Sequence, residues 1–221
     1  MKIVIQCAGR KNKAQPGSGF LTSDKRAIKF VAHPELAPFS KQYVFASPDD
    51  LSDDGRTWRA RLLDYNEGAT ANPLRLLPAY QLYADKAYAD LVQKFGCEQV
   101  FILSAGWGLI PASFFTPDYD ITFSQGKNVA AHCRRKKADN WADTCLLPDD
   151  GESIIFLGGQ DYLPLFCHMT AGFKGLKKVF FNAKADLHLK AGFFSERAQT
   201  NQRTNWHYAW SQMLIDGRVG L

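Results

Sequence analysis

The chain has 221 residues, 46% of them hydrophobic and 22% charged, which is enough to bury a sizeable core without disulfide help. No apolar run approaches the ~18 residues of a membrane-crossing helix. Five cysteines without a CxxC pair argue against a disulfide framework and a structural zinc site, so a cytoplasmic location is the expectation. The net charge of +5 permits a polyanionic partner without requiring one.

Met1 to Cys7 is too short and too soon polar for a signal peptide and reads as a strand that starts the fold at once. Residues 8–24 read as a loop. Residues 25–72 read as irregular, with one short strand at Gln42–Ala46, so that 14–72 looks like an insertion on the core. Asn72 followed by Pro73 is a helix start, and apolar residues recur at helical spacing from Leu76 to Phe95 before Gly96 stops the run. A strand follows at Gln99–Ser104. After a long loop, Val129–Ala142 reads as a basic helix. Ser153–Leu157 is an apolar strand, Gln160–Met169 a helix, Lys177–Phe181 a further strand and Thr204–Ile215 a helix. This alternation predicts an α/β fold: a mostly parallel central sheet with helices on both faces, in a single domain with an irregular insertion near 14–72.

In open parallel sheets ligands bind at the carboxyl ends of strands. Four such ends stand out: Gln6–Arg10, Ser104–Gly108, Gly158–Tyr162 and Asn182–Lys184. Gly106 and Gly108 allow close backbone approach, and Trp107 between them is either a stacking platform or a core tryptophan in a tight turn. Asp118 and Asp120 flank Tyr119. In an extended segment the two carboxylates share one side, where they either stabilise a cationic sugar and direct water or shape an Asx turn. Gln6 is able to read a base edge, and Arg10 and Lys11 to hold a phosphate. Gly159 lets a helix N-terminus approach an anion, and Asn182 adds a polar group. The run Arg134, Arg135, Lys136 and Lys137 is either a phosphate-binding patch or a solvated face. The five histidines show no metal-ligand spacing, so neither metal nor cofactor is expected. No G-x-S-x-G elbow is present.

These pieces together resemble the DUF6884, or YaaA-like, family. The likeness rests on Ile3 to Lys11, on Leu82-Tyr83 with Tyr88-Ala89, on Ile102 to Ile110, and on Pro117 to Thr122, and covers roughly residues 1–13 and 75–170. Gly158-Gly159-Gln160-Asp161-Tyr162 is also loosely similar to the Gly-Gln-Asp-Pro-Tyr element of uracil-DNA glycosylases, without its proline. What the resemblance implies is work on DNA. One similar group comprises antiphage glycosylases that remove glucosylated hydroxymethylcytosine and leave an abasic site. On that reading the base is flipped out, Trp107 or Tyr119 stacks on it, Gln6 reads it, and Asp120 or Asp118 is catalytic. Arg10, Lys11 and Arg134–Lys137 would then hold the DNA backbone. Two alternatives stay open: a non-catalytic YaaA-like DNA-binding stress protein, and a nucleoside or nucleotide N-glycosidase.

Overall fold

The computed structural model describes residues 1–13, 15–68, 71–182, 189, 191–198, 200, 202 and 204–219. The apolar opening forms β1 (Lys2–Gln6), which becomes the middle strand of a seven-stranded sheet. Its residues Ile3, Val4 and Ile5 have no exposed surface, as expected of a strand covered on both faces.

The described residues of 14–72 are more regular than the sequence suggested, and the strand expected at Gln42–Ala46 is among their elements. They supply β2 (Ala27–Val31), β3 (Tyr43–Ala46) and α1 (Trp58–Gly68). Phe20, Phe30 and Trp58 from this region pack on one another, with ring centroids 5.6 to 6.3 Å apart, and belong to the same core as β1. The propensity signal was weak because these elements are short and held by tertiary packing.

The single helix expected from Asn72 to Phe95 is broken in three. Asn72 folds back on Leu76, its Oδ1 accepting the Leu76 N–H at 2.9 Å. Leu77–Pro78 then pairs as β4 with β7 (Phe115–Thr116). A one-turn α2 (Ala79–Leu82) follows, and α3 (Lys86–Phe95) starts afresh with Asp85 as its N-cap, accepting the Ala87 N–H at 2.9 Å. Gly96 ends α3 at a φ of 88°.

Strand β5 (Val100–Ser104) lies beside β1 in parallel and turns through three residues into antiparallel β6 (Gly108–Pro111). Gly108 is required at this corner: its φ is 84°, and a Cβ there would sit 2.2 Å from the carbonyl oxygen of Thr144. The chain continues through β8 (Tyr119–Asp120), which joins β2 and β3 in a three-stranded sheet, and β9 (Thr144–Cys145), which pairs with β6. The expected helix at Val129–Ala142 does not form. Only Ala131–Cys133 makes a 3-10 turn, because Thr122 takes the backbone groups of Cys133 and Arg135 that a helix would use.

Strand β10 (Ile154–Leu157) pairs with the other side of β1, and α4 (Leu163–Thr170), β11 (Lys177–Phe181), β12 (Phe193–Arg197) and α5 (Trp206–Ile215) complete the fold. The main sheet runs β12-β11-β10-β1-β5-β6-β9 and is parallel except at β5-β6. Helices cover both faces. Phe156 stacks on Phe166 of α4, whereas Phe180, on the opposite side of the sheet, packs 3.8 Å from Trp210 of α5. Helix α3 packs against α5 on that second face. No described helix is long and apolar enough to cross a membrane.

Because the 14–72 region shares the core of the sheet, Phe30→Ala is expected to cost about 3–5 kcal/mol and to lower one cooperative unfolding transition. Denaturant melts followed by circular dichroism and tryptophan fluorescence would separate, instead of coinciding, if the region unfolded alone.

Candidate functional site

The chain leaves β1 and β10 in opposite directions. From β1 it reaches β5 by way of α3 on one face, and from β10 it reaches β11 through α4 on the other. Between strands whose connections part in this way the carboxyl edge cannot be covered by either helix, and a crevice results. Here the crevice is a cavity of about 780 Å³, within the size range of small-ligand sites.

Its floor is the end of β1 and the loop after β10. Gln6 Oε1 accepts the Gly159 N–H at 2.6 Å and so ties the two together. That bond fixes the amide: with Oε1 committed to the strand junction, Nε2 is the donor left for the cavity. Arg10 stands exposed at the rim with no side-chain partner among the described residues. The far wall is built by Asp85 and Lys86 at the start of α3 and by Asn205 and Tyr208 at the start of α5. Asp85 is half-buried, held by its capping bond, and forms no ion pair among the described residues. Asp161 also lines the cavity, but it is half-exposed and paired with Lys137 at 3.1 Å. Among the described residues no group of three or more His, Cys, Asp or Glu is placed to hold a metal ion.

Behind the floor lies a buried hydroxyl network. Ser104 Oγ accepts the N–H groups of Gly106 and Trp107 and donates to Tyr119 Oη at 2.8 Å. Tyr119 Oη in turn meets Tyr83 Oη at 2.8 Å. Cys7 Sγ lies 3.2 Å from Tyr162 Oη, and Tyr88 Oη donates to the Gln6 carbonyl. Burial pushes the phenols of Tyr83, Tyr88, Tyr119 and Tyr162 well above their ordinary range. Tyr208 is raised less, first by burial and then by the Asp85 charge, against a lowering bond to Tyr88.

Several expected site residues belong to this interior. Trp107 is 1% exposed, edge-on to Phe30 at 5.0 Å, and offers no face for stacking a base. Tyr119 is equally buried and is a hydrogen-bonding member of the network. Gly106 and Gly108 shape the β5-β6 corner, a Cβ on Gly106 meeting Tyr119 and Ile121. Asp118 and Asp120 do not line the large cavity. Asp120 pairs with Lys29 at 3.1 Å on the three-stranded sheet. Asp118 opens to solvent beside a small cleft of about 50 Å³, where desolvation raises its carboxyl against the lowering effect of Lys11. Lys11 itself lies over the Tyr119 ring at 4.2 Å.

Three of the four residues of the basic run are engaged by partners within the chain. Arg135 is 3% exposed, bonds the Ala105 carbonyl at 2.8 Å and Asp143, and is flanked by Phe123 and Trp141. Arg134 ties down the carbonyls of Gly126 and Val129. Lys137 holds Asp161, leaving Lys136 exposed. Asn182 donates to the Gln202 carbonyl at 2.5 Å and does not line the cavity, and its neighbours Ala183 and Lys184 lie outside the described residues.

The structure therefore joins Gln6, Arg10 and Gly159 in one cavity and adds Asp85, Asn205 and Tyr208, which sequence reasoning missed. Asp85 had a legible signal: it stands directly before a strongly amphipathic helix, as an N-cap does. No protein-family model matches the chain, and no curated protein or solved structure matches it either.

Tyr119→Phe leaves Ser104 Oγ and Tyr83 Oη short of a partner and should destabilise the chain by about 1–3 kcal/mol in urea titrations. The buried phenols also set an alkaline limit. Unfolded, they ionise near pH 10; folded, only far above it. The unfolded chain therefore sheds protons first, and stability that is complete below about pH 10 falls as the pH rises past it. Urea midpoints at about pH 9 and pH 11 measure the effect, and equal midpoints would contradict it.

Proposed function

We propose that the chain hydrolyses the N-glycosidic bond of a nucleotide seated in the cavity between β1 and β10, the nucleotide being a modified cytosine extruded from DNA. The observation that carries the reading is the meeting, at this junction of the sheet, of an oriented amide, a cation without a partner among the described residues and a fixed carboxylate. Each has a task in that reaction. Gln6 Nε2 faces the base and donates to its exocyclic oxygen, where charge gathers as the base departs. Asp85 directs water to the anomeric carbon and offsets the cationic sugar. The bond from that carbon to the base nitrogen breaks as a bond to the water oxygen forms. The base leaves with a proton and the sugar keeps the hydroxyl. Arg10 at the rim meets a phosphate. The sequence resemblance to the YaaA-like family, to which a group of glycosylases of glucosylated hydroxymethylcytosine is similar, suggests the choice of base and a role in antiphage defence, and Asp85 replaces Asp118 and Asp120 as the working carboxylate.

A second reading, a glycosidase of free nucleotides, is favoured by one observation. Arg134 and Arg135 are bound internally, so the backbone-holding surface is smaller than the run of four cations suggested.

Incubation with phage DNA carrying glucosylated hydroxymethylcytosine, followed by abasic-site detection, tests the proposal. Asp85→Asn keeps the helix cap, so stability should move by only a few tenths of a kcal/mol while base release falls about 10²–10⁴-fold. An unchanged rate removes Asp85 from the mechanism. Release from free nucleotides alone selects the second reading, and DNA binding without release, indifferent to Asp85, selects a non-catalytic DNA-binding protein. Arg10→Ala should weaken DNA binding and reduce its salt slope by about one counterion.

A further inference from the structure

A second cavity of about 640 Å³ opens between the starts of α3 and α5. It shares Asp85, Lys86, Asn205 and Tyr208 with the first, so the two adjoin as one groove with these four residues at the junction. The rest of its wall is Ala87, Gln202, Ala209 and Gln212. Each half alone has the volume of a complete small-ligand site, and a single nucleotide fills only one. The junction carries a cation. Lys86 is 77% exposed, and its ammonium is divided between Asp90 at 2.9 Å and Gln212 at 3.1 Å. Those two partners tie the lysine across from α3 to α5 and hold its charge on a residue that lines both cavities. The small side chains of Ala87 and Ala209, with the Tyr208 ring at the junction, suit a base held by stacking more than by its edge.

We infer that the groove takes two consecutive nucleotides of one strand: the reacting one in the larger cavity, the neighbouring one in the trough between α3 and α5, and the phosphodiester between them at Lys86. This rests on the nucleotide reading of the larger cavity and adds to it a minimum substrate, a dinucleotide step with a second subsite indifferent to sequence.

The test compares two probes by isothermal titration of the Asp85→Asn chain: a mononucleotide bearing the modified base, and the dinucleotide bearing the same base and one neighbour. The dinucleotide should bind at least about tenfold more tightly, as an added stacked base and phosphate contact imply. Ala209→Trp, which fills the trough, and Lys86→Met, which removes the charge at the junction, should each bring that ratio close to one. Equal affinities in the starting protein, or an advantage that survives both substitutions, would overturn the second subsite while leaving the glycosidase reading in place. Failure of both probes to bind would overturn that reading and the subsite with it.

Discussion

One constraint governs the carboxyl edge of the sheet: after β1 and after β10 the chain must leave toward opposite faces. Two helices that part in this way cannot cover the gap between their strands. The gap has to be closed by side chains or left as a cavity. Here the two strand ends are tied by the Gly159 N–H donating to Gln6 Oε1 and by the contact of Cys7 Sγ with Tyr162 Oη, and the rest stays open as the cavity. The surroundings follow from that opening. The Asp85 cap and the start of α5 become walls because α3 and α5 pack together on the same face.

The interior shows the opposite use of polar chemistry. Ser104, Tyr119 and Tyr83 satisfy one another in the buried core, and Arg135 satisfies the Ala105 carbonyl between two aromatic rings. A buried polar group left unmade costs more than a made bond returns, which favours hydroxyls that satisfy one another as these do. Chemically expressive residues near a strand end are therefore ambiguous from type alone. Trp107 and Tyr119 have the composition of a binding site and the surroundings of a core.

What was legible in the chain, and what was not, divides along physical lines. Strands β1, β5, β10 and β11 are apolar runs bounded by breakers, and burial on both faces demands that composition. Helix α3 announces itself by periodicity, and Gly96 by its place after the last turn. Strand β3 was legible at Gln42–Ala46, but strands β2 and β12 and helix α1 were not, because short elements held by distant partners have little intrinsic preference of their own. The basic run misled for a related reason. Charge spacing says nothing about whether a carbonyl or a carboxylate waits nearby in space, and Arg135 finds both.

By itself the sequence determined the class of fold, the strands that carry the core, and two of the segments that meet at the cavity, Gln6–Arg10 and Gly158–Tyr162. These depend on local pattern, because burial selects apolar runs and turns select glycine. Only the tertiary structure decided which strand ends adjoin, that Asp85 and Tyr208 face Gln6, and that Asp118, Asp120 and Trp107 do not. Those outcomes depend on strand order and on helix packing, which bring together residues more than a hundred positions apart.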